Sequence, residues 1–293
     1  MKHFTVVYPE SLDSAISTLE AHPRSAKLIA GGTDVMVKIK EGNLTPDLLV
    51  SLKKIPNLRN IEINASTGEL IIGALVTHHE LETSNLLSGG YTIIRDAVSN
   101  IGSLQIRNVA TIGGNLVNAV PSADGAIPLV ALDARISFTG TRGKKTEDLR
   151  KFFLGPGQNI LEPSEILTHI IIPPLSPNTG SAYVKFSRRA AMELPLLGVG
   201  VLISLDGNLD KCVKARICLG VAAPVPLRAF EAEKFLEGRS VNQESLAEAG
   251  RIAGQEAKVR DSIRGVAWYR REMVNVQVKR MGLKCLERIR QSH

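Results

Sequence analysis

The chain has 293 residues, of which 44% are hydrophobic and 22% charged, an ordinary balance for a folded protein with room for two domains and sizeable cores. Its net charge of +7 is not spread over the chain: from Lys258 onward there are ten Lys/Arg against three Asp/Glu, so the rest is neutral. No nucleic-acid motif or aromatic interleaving accompanies that basic end, no apolar run reaches the roughly 18 to 20 residues of a membrane span, and three cysteines without C-x-x-C spacing exclude a disulfide framework or a metal–sulfur site.

The N-terminus, MKHFTVVYPE, reads as a strand over residues 3–8 and carries neither the apolar stretch nor the cleavage site of a signal peptide, so a cytoplasmic location is expected. Ser11 then opens a helix in which Leu12, Ala15, Ile16 and Leu19 recur at helical spacing. Ala26–Ala30 is a short buried strand that runs into Gly31-Gly32. Thr33 and Asp34 are good N-caps for a helix continuing to Lys40 and ending at Gly42. Strands follow at Leu48–Leu52, Ile61–Ile63 and Leu70–Leu75, separated by Pro56 and by Ser66-Thr67-Gly68. Thr77 caps a helix through Leu87, and another helix covers Tyr91–Asn100.

The stretch from Ile101 to Ala134 holds a second glycine pair, Gly113-Gly114, between Thr111 and Asn115, with no charge between Arg107 and Asp124. Asp124 is expected to cap an apolar helix, Ala126–Asp133. Arg135–Phe138 reads as a strand, Glu147–Phe153 as a short helix, and Ile166–Ile172 as a strand closed by Pro173-Pro174. The segment PPLSPNTG, residues 173–180, is the best linker in the chain and marks a domain boundary. Beyond it, Ser181–Ser187, Leu196–Leu205 and Lys211–Ala222 are three strands, the last two joined through the hairpin signal Asp206-Gly207-Asn208. Helices follow at Pro226–Leu236, Gln243–Lys258 and about Val266–Ile289, which makes an α+β arrangement.

The two glycine pairs carry the chemistry. Without a Cβ, glycine takes φ > 0 and lets successive N–H groups converge on one phosphate, so two such loops suit the two phosphates of a dinucleotide. G-x-G-x-x-G and G-x-x-x-x-G-K-[ST] are both absent, as are a nucleophile elbow and H-E-x-x-H; Gly198-x-Gly200 sits in an apolar strand and reads as close packing. The adjacent His78 and His79 point in different directions on a helix and do not form a metal pair. Phosphate-cradle chemistry without an evident acid–base or nucleophile set fits a cofactor that brings its own reactivity.

AGGTDV (30–35), GSLQIRNVATIGGNLVNAVPSAD (102–124) and YVKFSRRAAMELPLLGVGV (183–201) closely resemble the FAD-binding medium subunit of the molybdenum hydroxylases, the xanthine dehydrogenase and aerobic carbon monoxide dehydrogenase group. The Trp268-Tyr269-Arg270-Arg271 run is similar to that family's C-terminal domain, so the resemblance covers essentially the whole chain. It implies a two-part PCMH-type FAD-binding domain over residues 1–176, split near 55–60 into two α/β subdomains. A C-terminal α+β domain over 177–293 would comprise a three-stranded antiparallel sheet and a three-helix bundle.

By position, the resemblance implies that Leu28, Ile29, Ala30, Gly31, Gly32, Thr33, Asp34 and Val35 form the first FAD loop. Thr111, Ile112, Gly113, Gly114 and Asn115 would form the second, with backbone N–H groups and the Thr33 and Thr111 hydroxyls as donors to the pyrophosphate. Asp124 would accept from a ribose or ring group, Ile101 would pack by the isoalloxazine, Leu167 would line the pocket and Lys185 would reach toward the flavin. Where relatives place an aromatic beside the ring this chain has Ile101, and with no cysteine before Cys212 no [4Fe–4S] cluster is expected. The implied role is an electron-transfer flavoprotein subunit, without catalytic side chains or a bound metal of its own. Its partners would be a molybdopterin-binding large subunit and a small subunit with two [2Fe–2S] clusters, and its acceptor NAD+, a quinone or oxygen. Two other readings stay open: a self-contained FAD oxidoreductase with Lys185 as its one candidate acid or base, and a flavin-free scaffold subunit that docks through the basic last helix.

Overall fold

A computed structural model describes residues 2–189 and 191–291; Met1, Ser292, His293 and position 190 of the YVKFSRRAAMELPLLGVGV segment lie outside the described residues. The N-terminal unit is a parallel sheet in the order β1-β3-β2, built from β1 (Thr5–Val7), β2 (Ala26–Ile29) and β3 (Leu48–Ser51). Helix α1 (Leu12–Ala21) starts where expected because the Ser11 hydroxyl accepts from the Ser14 N–H, and it buries Ala15, Ile16 and Leu19 against Val50 and Leu52. Helix α2 (Val35–Lys40) begins two residues later than the sequence suggests. Thr33 and Asp34 belong to the loop, and Asp34 makes no capping bond.

The central unit is a five-stranded antiparallel sheet in the order β4-β5-β10-β6-β7. Its strands are β4 (Ile61–Ile63), β5 (Leu70–Gly73), β6 (Arg135–Gly140), β7 (Gly143–Asp148) and, after a small hairpin of β8 (Phe153–Gly155) and β9 (Gln158–Asn159), β10 (Ile166–Ile172). Between β5 and β6 the chain forms five short helices: α3 (His78–Thr83), α4 (Thr92–Val98), α5 (Leu104–Arg107), α6 (Ile112–Asn118) and α7 (Ala126–Ala131). Strand β7 is a correction. Its sequence, GKKTED, has no buried face to betray it, and Asp148 ends it by capping a single-turn helix, α8 (Leu149–Phe152), where a helix from Glu147 was expected.

The C-terminal sheet has four strands, not three: β11 (Thr179–Phe186), β12 (Leu197–Leu205), β13 (Cys212–Gly220) and the two-residue β14 (Leu227–Arg228), all antiparallel. The missed strand takes the beginning of the expected helix, so α9 spans Phe230–Leu236. It packs with α10 (Gln243–Glu256) and α11 (Ala267–Gln291) on one face of the sheet. The opposite face lies on α4 and α7, and Tyr183, Leu202 and Cys218 join the central core there. Coverage on both faces explains why LGVGVLISL of β12 reads as a continuous apolar run and is buried throughout. The halves are also tied by ion pairs from Asp133, just past α7, to Lys214, Arg216 and Arg228. Burial alone would raise the Asp133 carboxyl, but hydrogen bonds from these cations hold it well below the usual carboxylate range. Among the described residues no helix is long and apolar enough to cross a membrane.

Candidate functional site

The first glycine loop leaves the carboxyl end of β2. Gly32 has φ +77°, which a side chain would strain. Gly31 lies so close to the chain entering the second loop that a Cβ there would overlap the Val109 carbonyl and sit 3.0 Å from the Ala110 Cα. Side chains reinforce the contact. Asn118, at the end of α6, donates through Nδ2 to Asp34 Oδ1 at 2.8 Å, and its Oδ1 accepts from Lys38 Nζ at 3.1 Å. Two turns about eighty residues apart in sequence are therefore one structure. The N–H groups of Gly31, Gly32, Thr33, Asp34 and Val35 donate to no acceptor among the described residues. Five consecutive free donors in a half-buried loop are what an anion would use.

The second loop differs from expectation. The Thr111 hydroxyl caps α6 by accepting from the Gly114 N–H at 3.1 Å. The Ile112 and Gly113 N–H groups donate to Val76 and Ala74 carbonyls at 3.0 and 2.9 Å, and the Asn115 N–H to the Thr111 carbonyl at 3.0 Å. The amides of Ile112 to Asn115 are thus already paired, and the longest run of free donors belongs to the first loop. The second loop instead offers the exposed, bare Gly114, the Thr111 O–H and Asn115. Asn115 Oδ1 is buried and has no hydrogen-bond partner among the described residues, an arrangement that native interiors rarely tolerate without a function.

Gly125 abuts Asn115, and the preceding residue, Asp124, leads to a second group of predicted residues. Asp124 is buried but does not cap α7, whose first turn has no side-chain cap. Its Oδ1 accepts from Tyr183 Oη at 2.5 Å and its Oδ2 from Lys185 Nζ at 2.8 Å. The Lys185 ammonium, only 8% exposed, also donates to the Asn100 carbonyl at 3.0 Å. Arg107 Nη1 holds the next carbonyl, that of Ile101, at 3.3 Å while its Nε pairs with Glu82. A lysine and an arginine thus clamp consecutive carbonyls on the turn that presents the half-buried Ile101.

Burial raises the Asp124 carboxyl, opposed by Lys185 and by the Tyr183 hydroxyl; the Tyr183 phenol is pushed well above its usual range by burial and by the facing carboxylate. Both Asp124 oxygens have protein donors, so the carboxylate also supports Lys185. Leu28 and Ile29 lie in β2 below the first loop. Leu167 is buried in the central core on β10, paired in register with Phe138.

Asn118, Asn100 and Tyr183 escape a reading of the sequence. Tyr183 sits in an apolar strand pattern and reads as core; strand alternation puts it on one face with Lys185, but only the fold shows that both reach Asp124. Asn118 lies seven residues after Thr111, the spacing of two helical turns, which is the one signal that pointed to its side of α6. All three cysteines are buried, and burial raises their thiols, that of Cys212 to about 12. Among the described residues no group of three or more His, Cys, Asp or Glu is placed to hold a metal ion.

Residues 2–175 match the FAD-binding domain of molybdopterin dehydrogenases, and residues 181–285 the C-terminal domain of the CO dehydrogenase flavoprotein. The chain belongs to this family of flavoprotein subunits of xanthine and carbon monoxide dehydrogenase-type oxidoreductases. It is 33% identical over 273 residues to the xanthine dehydrogenase FAD-binding subunit of Escherichia coli O157:H7, covering 92% of both chains. It is 32% identical to the carbon monoxide dehydrogenase medium chain of Afipia carboxidovorans, covering 93% of both. In structure it superposes with a TM-score of 0.91 on a chain of the cyanide-inactivated Cu,Mo-CO dehydrogenase, at 31% identity and covering 98% of this chain and 99% of that one.

Proposed function

We propose that this chain is the FAD-carrying electron-transfer subunit of a molybdenum hydroxylase complex, with the flavin held in residues 1–176 and completed by Lys185 from residues 177–293. The single observation that carries the reading is the row of free amides, Gly31 to Val35, docked against the loop that leads to Thr111. Those amides and the Thr33 hydroxyl would bind the pyrophosphate, with the Thr111 O–H donating from the second loop. The unpartnered Asn115 Oδ1 would accept from the cofactor. Ile101 would pack beside the isoalloxazine, held there by Lys185 and Arg107 through the Asn100 and Ile101 carbonyls. Two of the three Lys185 N–H bonds have acceptors within the chain, which leaves one for the ring.

FAD bound here would supply the conversion between single-electron and two-electron transfer. A small subunit with [2Fe–2S] clusters, itself fed by a molybdopterin-bearing large subunit, would be the donor, and NAD+, a quinone or oxygen the acceptor. The subunit reading is favoured over a self-contained oxidase because Lys185, the one candidate acid or base, is tied into a buried ion pair. Purification of the chain with its co-encoded partners tests this: about one FAD per chain, reduced when the complex is given its substrate, is expected. A colourless complex would refute it.

A further inference from the structure

We propose that Tyr183 is a positioning residue for the flavin site: its hydroxyl fixes the Asp124 carboxylate, which in turn fixes the Lys185 ammonium beside the Ile101 turn. This inference rests on the FAD reading above and adds to it a residue that touches neither loop.

The geometry is specific to a phenol. Tyr183 Oη reaches Asp124 Oδ1 at 2.5 Å, and both side chains are buried. A Cβ on Gly198 of β12, the residue paired with Lys185, would stand 2.8 Å from that same Oη, so the neighbouring strand is bare where the hydroxyl passes. The backbone is pinned as well. The Tyr183 N–H donates to Asp96 Oδ2 at 3.1 Å, and Asp96 is bound by Arg288 from α11. A phenylalanine would satisfy the packing and the strand; only the hydroxyl needs Asp124. The charged and titratable groups facing this carboxylate and phenol are Lys185 on the same strand and Cys218 on β13.

The consequence is electrostatic. A buried carboxylate that keeps two donors stays charged and neutralises the ammonium beside it. Without the hydroxyl, burial raises the Asp124 carboxyl further, the proton is held more readily, and the Lys185 charge is less compensated. Uncompensated positive charge at the ring favours the reduced, more negative flavin, so its midpoint potential rises, and rises more as pH falls.

The test is spectroelectrochemistry of the FAD-loaded complex as a function of pH. Tyr183→Phe is expected to shift the midpoint potential upward, most at low pH. Tyr183→3-fluorotyrosine, a stronger donor of the same shape, is expected to shift it downward. Lys185→Gln is expected to lower it, and the Tyr183→Phe/Lys185→Gln double variant to match Lys185→Gln alone. Should Tyr183→Phe lose its flavin, the fluorotyrosine variant decides. Wild-type potentials in both Tyr183 variants at every pH would overturn the inference while leaving the FAD reading intact. A flavin-free wild type would overturn both.

Discussion

Gly31→Ala is the sharpest perturbation of the candidate site, because the added methyl meets backbone and not a side chain that can turn away. The Val109 carbonyl and the Ala110 Cα occupy the space it needs, so either the first loop or the 109–110 segment must move. Inserting a methyl into a packed site of this kind costs about 1–3 kcal/mol. If that strain is relieved by parting the loops, it is subtracted from FAD binding, and at 1.4 kcal/mol per tenfold the dissociation constant rises by about 5-fold to about 150-fold. Gly207→Ala, in the β12–β13 hairpin with nothing within 4 Å of the new methyl, is the matched control and should bind as wild type. The assay is titration of apoprotein with FAD by flavin fluorescence, beside a melting curve of each variant. Equal affinity for Gly31→Ala and wild type would refute the claim that contact between the loops forms the site.

Removing the Asn118 side chain by Asn118→Ala deletes the bonds to Asp34 and Lys38, each worth about 0.5–1.5 kcal/mol, and should speed FAD release in stopped-flow exchange and lower the melting temperature by a few degrees. Lys185→Met leaves the buried Asp124 without its cation and should cost about 3–5 kcal/mol in denaturant unfolding, with part recovered when Asp124→Asn is added. His78, buried beside Arg107, is lowered to about 4 by burial first and by that arginine second. Its unfolded state binds a proton near the ordinary value of about 6.5, so its contribution is complete above that pH and is lost as pH falls toward 4. It amounts to about 3 kcal/mol at most. Melting curves of His78→Gln should therefore lose less stability than wild type between pH 6.5 and 4; parallel curves would contradict this.

Much of the architecture was legible because it is written in local signals. Ser11, Thr77 and the Asp206-Gly207-Asn208 turn each mark an element boundary that the structure reproduces. The misses share a cause. Strand β7 is a polar edge strand and β14 is two residues long, so neither carries a periodic apolar pattern. Asp124 looked like a helix cap because aspartate before an apolar helix usually is one; its partners come from a strand about sixty residues away. The glycine pairs point, in sequence, to a phosphate site. Nothing in their sequence told that the second pair's amides would be taken by Ala74, Val76 and Thr111, since those acceptors are set by how α6 docks on the end of β5. Local chemistry reads from sequence, whereas the allocation of donors among competing acceptors is a property of the packed fold.

On the proposed reading, the Gly31–Val35 amides and the Thr111–Asn115 turn hold one pyrophosphate between them. A crystal structure of the FAD-loaded chain tests it most directly. Diphosphate density is expected within hydrogen-bonding distance of the Gly32 and Thr33 N–H groups and of the Thr111 hydroxyl; a diphosphate bound away from the first loop would contradict this reading.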